Sequence, residues 1–359
     1  MLHGAGVIIA AGSLIRVPEK RKSNIIPMKQ LRHIVQYLLI CISSLVILMS
    51  ILSLSGSLTR WYFQVLDFPR LQYLVLAVVC LLAFCLLKKD WQLSAWLLVA
   101  GLVGTIVIQS TYLMPYWLGQ EVVPDATTDS TSKPHEVGIV VANVLMTNRQ
   151  PQNFLRVVRE VNPDMVLTME VDEWWVDQLK VLKDDYPYVM EYPLDNAYGI
   201  ALYSRLPLEE KEIRFLEKDK VPSFHARVTL PGHRSFRFHG MHPVAPVPSE
   251  KYPDGLGEKG AALRQVGDMV AKGTLPSVVA GDFNDVSWSQ TTRMFEASGK
   301  LGNVRLGRGL YNSFKARSYL QRWPLDHFFV TKEFALLELK KLPYIHSDHY
   351  PIYARLVLR

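Results

Sequence analysis

From Ile34 to Thr59 the chain carries no charged side chain. A stretch of that kind has few places to go, since about 20 apolar residues at 1.5 Å of helical rise each cover the roughly 30 Å hydrocarbon core of a bilayer. Leu71–Leu87 repeats the pattern and stops at Lys88-Lys89-Asp90, and Trp91–Gln120 is a third uncharged run with Tyr112, Tyr116 and Trp117 at its far end. Amphipathic rings suit the headgroup layer, so three transmembrane helices are predicted over residues 34–118. Buried helices of a soluble domain rarely run so long without a charge, three times in succession, and a cleaved signal peptide explains one run only.

Positive charge sets the orientation. Arg16, Lys20, Arg21, Lys22, Lys29 and Arg32 precede the first run, and Lys88 and Lys89 fill the short second loop, whereas the first loop holds only Arg60 and Arg70 with Asp67. The positive-inside rule then puts residues 1–33 on the cytoplasmic side as a basic segment and everything after the third span outside. Val7–Ala11 is apolar but too short to cross, and Met28 opens a more ordinary basic flank, which makes it an alternative start. Residues 119–135, rich in Thr, Ser, Asp and Pro toward their end, read as a linker to a domain over 136–359. Cys41, Cys80 and Cys85 all fall in the spans, so no structural disulfide is expected in the domain.

From Lys133 onward about 30 Lys and Arg face about 27 Asp and Glu, leaving the domain near neutral. The overall net charge of +7 is therefore not a sign of polyanion binding; only Arg305–Arg322 hints at nucleic acid. Periodicity predicts strands at 137–144, 165–169, 199–203, 212–216, 225–230, 235–240, 277–280, 325–331 and 350–358. Helices are predicted at 153–161, 173–182, 258–272 and 290–298. The class is α/β or α+β with mixed sheets.

Polar residues cluster where these apolar strands end, and a strand leaving a packed sheet aims a side chain with little freedom. They are Asn143, Glu170, His242, the Asp282/Asn284 pair, Asp326-His327 and Ser347-Asp348-His349. Singly, each has a plain structural reading: Asn143 as a turn former, Glu170 as a helix cap, Gly281-Asp282-Phe283-Asn284 as an Asx-type turn. His233, His239 and His242 could form a zinc cluster, but the turn beside His233 and the strand alternation at His239 speak against it. Trp174, Trp175 and Trp288 suit a helix face and a loop anchor better than a cleft.

Together, Ala-Asn143-Val-Leu, Met-Val-Leu-Thr-Met-Glu170, Leu-Tyr203-Ser204-Arg205, Met-His242-Pro, Gly281-Asp-Phe-Asn284, Leu-Asp326-His327-Phe-Phe and Ser347-Asp348-His349-Tyr-Pro351 stand in an order that resembles the endonuclease/exonuclease/phosphatase superfamily. That superfamily includes DNase I-like nucleases, abasic-site endonucleases, inositol polyphosphate 5-phosphatases and neutral sphingomyelinases. The resemblance covers roughly Glu136 to the last residue. It implies a four-layered DNase I-like sandwich, two mixed β-sheets face to face with helices outside, and a site at one edge of both sheets.

It also implies chemistry. Attack of water on a phosphate ester needs a cation and hard oxygen ligands, which suits Mg²⁺ or Mn²⁺ held by Glu170, assisted by Asn143 and Asp348. His349 paired with Asp326 would act on the phosphate, Asp282 would align or deprotonate water, Asn284 would donate to a phosphate oxygen, and His242 would protonate the leaving oxygen or stabilise the transition state. Arg205 and Asn148 are candidate substrate contacts. Leu145 departs from the acidic residue that abasic-site nucleases carry two positions after the strand-one Asn, which weighs against a second metal and against DNA repair.

The expected function is a membrane-anchored, divalent-metal-dependent phosphoesterase, chiefly a phosphodiesterase. It would sit in a bacterial inner membrane with its domain in the periplasm. The bilayer is the expected partner, no protein partner is inferable, and lipid or small phosphodiesters rank ahead of nucleic acid. The alternatives are a membrane-tethered nuclease and a non-enzymatic sensor that keeps the fold, the latter disfavoured because none of the site residue types is missing.

Overall fold

A computed structural model of the chain describes residues 28–55, 61–88, 90–127, 133–246 and 259–359. Val7–Ala11, Arg16, Lys20, Arg21 and Lys22 of the basic segment, Arg60 and Lys89 of the two loops, and residues 128–132 of the linker lie outside the described residues.

The domain is a four-layered sandwich. One sheet has the order β11-β12-β1-β2-β4-β3 and the other β5-β6-β7-β8-β10-β9. The strands of the first are β1 (Glu136–Asn143), β2 (Met165–Met169), β3 (Tyr188–Tyr192), β4 (Ile200–Ser204), β11 (Phe334–Lys341) and β12 (Ile352–Leu358). Those of the second are β5 (Leu208–Arg214), β6 (Ser223–Thr229), β7 (Ser235–Met241), β8 (Ser277–Asp282), β9 (Gly302–Asn303) and β10 (Asp326–Val330). Both sheets are mixed, with β1–β2 and β7–β8 parallel and the other neighbours antiparallel.

Strand periodicity divides the apolar residues among the layers. Ile139, Val141, Leu167 and Met169 face Phe238, Val278, Ala280 and Phe328 between the sheets. Their neighbours Val140, Ala142 and Val166 point outward onto Phe154 and Val158 of α5 (Pro151–Val161) and Trp175 and Leu179 of α6 (Glu173–Leu179). On the far side, Val279 and Phe329 meet Leu263 and Val266 of α7 (Lys259–Lys272) and Phe295 of α8 (Gln290–Gly299). Both faces of the central strands are covered, which is why they read as unbroken hydrophobic runs.

Three strands are absent from the expected set. β3 is a half-exposed edge strand, β9 has two residues, and β11 carries Glu338, Lys340 and Lys341 on an exposed edge. Edge strands need no two-sided hydrophobicity, so their sequence signal is weak.

Among the described residues three helices are long and apolar enough to cross a membrane: α1 (Met28–Leu52), α3 (Arg70–Leu87) and α4 (Leu93–Leu113), with α2 (Trp61–Gln64) a single turn between the first two. They pack through Val46, Ala77, Cys80 and Leu102, while Leu45, Leu82 and Leu97 face outward as lipid-facing residues would. Arg32 donates to the carbonyl of Leu87 at 2.7 Å and so caps the C-terminal end of α3, where a cation is favoured. At the other end Arg70 is buried and donates to Asp67, to Gln109 Oε1 (3.0 Å) and to the Ser53 carbonyl (3.0 Å), while Gln109 donates to Ser50 Oγ (2.8 Å). The helix ends nearest the domain are thus locked by one buried polar cluster.

The expected linker is not a free tether along its described length. Val123 is buried, Ala126 N–H donates to the Leu336 carbonyl (2.8 Å), Leu336 N–H donates to the Pro124 carbonyl (2.9 Å), and Arg308 pairs with Glu121 and Asp125. The domain also rests directly on the helices. The Trp288 indole donates to the Asp67 carbonyl at 2.7 Å and packs edge-on against Tyr116, and Gly309 N–H donates to the Tyr116 carbonyl at 2.6 Å. Truncating this buried ring in Trp288→Ala is expected to cost about 3–5 kcal/mol. A thermal melt of the full-length protein unchanged from wild type would contradict that.

Candidate active site

β1 and β2 end side by side, and their last residues turn inward. Glu170 adopts φ 60 and Asn284, beyond β8, φ 51, both left-handed values that few non-glycine residues take and that recur at functional sites. Gly281 has φ 148, and a Cβ there would lie 1.9 Å from the Met241 carbonyl. Only glycine lets β8 approach β7 this closely, so the glycine of Gly-Asp-Phe-Asn has a packing reason of its own.

The strand ends bring five side chains into one line that crosses between the sheets. Asn143 Nδ2 donates to Glu170 Oε1 (2.8 Å) and to Asp282 Oδ2 (3.0 Å); Asp282 Oδ2 lies 3.5 Å from His349 Nε2; His349 Nδ1 bonds Asp326 Oδ2 at 2.7 Å. Asp282, Asp326 and His349 lie close enough together for their ligand atoms to converge on one point, and all three are buried. β8 and β10 pair Asp282 directly opposite Asp326. Two buried carboxylates so placed repel unless a positive group stands between them, and His349 is that group.

Burial alone would drive the His349 proton off. The Asp326 and Asp282 carboxylates outweigh it, and the imidazole is pushed up to about 10, so it is a cation throughout the neutral range. His242 goes the other way: burial depresses it, the nearby Asp282 and Glu170 charges offset this only in part, and its ring packs edge-on to Tyr198 at 5.2 Å. One histidine is held charged and one neutral within the same cluster, a separation suited to proton traffic.

Glu170 is pushed up by burial, only partly relieved by His242 and Asn143, and Asp348 raises it further. Crowded, desolvated carboxylates are the environment that a divalent cation stabilises, and the donors are oxygens, with the three cysteines confined to the helices. Among the described residues His242 Nδ1 and Asp326 Oδ1 are buried without a partner. The chemistry of this donor set fits a hard divalent metal.

Most of the expected site residues meet here, with two exceptions. Arg205 lies at the opposite end of β4, where it donates to Asn162 Oδ1 at 2.5 Å and stacks over Tyr186. Asn148 is buried and donates to the carbonyls of Val144 (3.2 Å) and Ile345 (3.1 Å), which ties two loops together. Neither is placed to touch a substrate. Asn284 serves Asp282 through its backbone, donating N–H to Oδ1 at 2.8 Å, while its side-chain amide donates to Pro243 O at 3.0 Å and joins the Asp282 and His242 loops. Asn143 Oδ1 accepts from Leu145 N–H at 3.0 Å. His239 faces His225, with Nδ1 atoms 2.7 Å apart, so it does not join His233 and His242 in a cluster.

Three further residues support the line in ways the sequence does not show. Ser347 Oγ donates to the Asn143 carbonyl (2.7 Å) and accepts from His349 N–H (3.0 Å), joining the two ends of the line. Ser313 Oγ accepts from Asp326 N–H at 3.2 Å, and the buried Arg305 donates to the Asp326 carbonyl and bonds His327 Nδ1 at 2.6 Å. Ser347 sits inside the Ser347-Asp348-His349 motif, whereas Ser313 and Arg305 lie in an irregular segment with no periodic signal.

A family model described as the endonuclease/exonuclease/phosphatase family matches residues 140–349, a span that includes every residue of the line. The chain belongs to the endonuclease/exonuclease/phosphatase family. Members of this family hydrolyse phosphate esters and in general depend on a divalent metal. A search of curated proteins finds no match. Among solved structures, the chain is similar to an endonuclease/exonuclease/phosphatase from Beutenbergia cavernae (18% identity, TM-score 0.51, covering 62% of this chain and 72% of that one). It is also similar to the human Nocturnin catalytic domain with bound sulfate (15%, TM-score 0.50, 63% and 96%) and to D. rerio TDP2 complexed with a single-strand DNA product (17%, TM-score 0.50, 64% and 99%). At these identities the family likeness is one of fold.

Proposed function

We propose that the protein is a membrane-anchored, divalent-metal-dependent phosphodiesterase whose domain lies outside the cytoplasm, in the setting of a bacterial inner membrane. The continuous line Glu170–Asn143–Asp282–His349–Asp326 carries the reading, because it supplies a metal-side carboxylate, a water-side carboxylate and a fixed cation in sequence. The topology rests on the basic residues around the first span and Lys88-Lys89.

Glu170, with Asn143 and Asp348, would hold Mg²⁺ or Mn²⁺, which when bound neutralises charge on the phosphoryl oxygens. Asp282, fixed by the Asn284 N–H, orients the attacking water and accepts its proton. The His349 imidazolium, held by Asp326, donates to a non-bridging phosphoryl oxygen as negative charge gathers there. Neutral His242 offers a second N–H, to the leaving oxygen or to the charge of the transition state. Two cations of the basic Arg305–Arg322 stretch are not available to a polyanion, since Arg305 is buried and Arg308 is spent on Glu121 and Asp125.

The test is hydrolysis of bis-p-nitrophenyl phosphate by the full-length protein with Mg²⁺ or Mn²⁺. Turnover that disappears with EDTA, returns with metal and is missing in Glu170→Ala is expected. A folded protein that shows no metal-dependent turnover of either this diester or p-nitrophenyl phosphate would overturn the assignment.

A further inference from the structure

The edge of the sandwich that carries the site is also the edge set on the helices. Val286, Trp288, Leu310 and Leu325, all in loops flanking site residues, pack with Leu113 and Tyr116 of the third span, and Leu71 and Leu74 of α3 join the same cluster. An aromatic file then leads to the site itself. Phe68 meets Trp323 edge-on at 5.6 Å, Trp323 stacks on Phe314 at 6.1 Å, and Phe314 lies 4.9 Å from the His349 ring.

Between Phe314 and Trp323 the chain bulges outward. Tyr319 is 90% and Leu320 82% exposed, values at odds with a domain whose other apolar residues are largely covered. The Leu320 carbonyl accepts from Gln72 Nε2 at 2.6 Å, which fixes the bulge at the level of the first turn of α3. Lys315, Arg317 and Arg322 surround it, and none meets a carboxylate among the described residues: Lys315 bonds Gln321, Arg317 bonds the Tyr344 hydroxyl, and Arg322 caps the Ser318 and Ala316 carbonyls. Lys341 adds a fourth cation, sharing the Tyr350 ring with Arg322.

We infer that the Lys315–Arg322 loop is a membrane-binding surface. It seats in the headgroup layer of the same bilayer that the helices cross, with Tyr319 and Leu320 inserted and the cations on anionic lipid phosphates. Apolar tips ringed by cations that meet no carboxylate among the described residues match such a layer, which draws Lys and Arg to its phosphates while it takes up apolar side chains. An acidic protein partner would satisfy the cations but not the two exposed apolar tips beside a span. The inference uses the membrane reading of the three helices and is independent of the chemistry proposed above. It makes the loop a second attachment, so that the His349 side of the site is held against the membrane surface.

The experiment uses full-length protein with Cys41, Cys80 and Cys85 replaced by Ala and one environment-sensitive fluorophore at a new cysteine, in vesicles of phosphatidylglycerol and phosphatidylcholine. Leu320→Cys is expected to give blue-shifted emission quenched by lipids brominated near the headgroup, and Ile213→Cys on the far edge strand to stay water-like. Leu45→Cys, on the outward face of α1, reports separately whether the helices are in the bilayer. Reversing the charges in Lys315→Glu/Arg317→Glu/Arg322→Glu should return the position-320 emission toward that of position 213. Water-like, unquenched emission at 320 with a quenched label at 45 overturns the inference, as does a folded reversal variant that leaves the 320 signal unchanged.

Discussion

Asp282→Asn is expected to lower phosphodiester turnover about 10²–10⁴-fold, the range that a positioned general base supplies. The substitution is close to isosteric and keeps an oxygen for the Asn284 N–H, so the loop geometry should survive. It also puts an amide N–H donor where Oδ2 accepts from Asn143 Nδ2 and faces His349 Nε2, so buried donors oppose one another and the imidazolium loses one counter-charge. Lost activity should therefore come with a lowered thermal midpoint. Turnover within about tenfold of wild type would remove Asp282 from the water-activating role.

His349→Gln should cost on the order of 10²–10³-fold in turnover, as loss of a preorganised donor to a developing negative charge does. Its second signature is thermodynamic. The folded state raises the His349 pKa to about 10, from an unfolded value of about 6.5. The ring's contribution to stability is then fully present below about pH 6.5, declines as the unfolded state loses its proton, and is gone once pH passes about 10. Melts of wild type and His349→Gln in EDTA at pH 6, 8 and 10 should show a gap that narrows steadily. A gap constant across that series would mean that Asp326 and Asp282 do not hold the imidazolium.

The sandwich and most of the site were legible because both are written in local patterns. Runs such as Gly138–Val141 and Val278–Ala280 announce buried strands, and the polar residue that ends each run announces what the sheet edge presents. Residues whose part depends on what happens to face them were not legible. Arg205 follows a buried strand just as Glu170 does, yet β4 runs antiparallel to β2, so its last residue emerges at the other end of the sheet. Direction, which no periodicity encodes, separated the two. Asn148 looked available because a polar residue after a strand is usually a solvated loop residue, whereas two carbonyls from separate loops claim its amide. The basic stretch misled for a related reason: charge counted along the sequence does not show that Arg305 turns inward while Lys315 and Arg317 turn out.

β12 is drawn from late in the sequence, yet it is an interior strand, seated between β11 and β1 with Val357 opposite Glu136. Synthesis at roughly 5–20 residues per second separates these partners by on the order of 10–40 s. During that interval β1 has a bare edge on the side that β12 later covers. An unpaired strand edge of this kind is a template for pairing with another chain, so the late arrival of β12 makes the β1 edge the place where a partly made domain is open to mispairing.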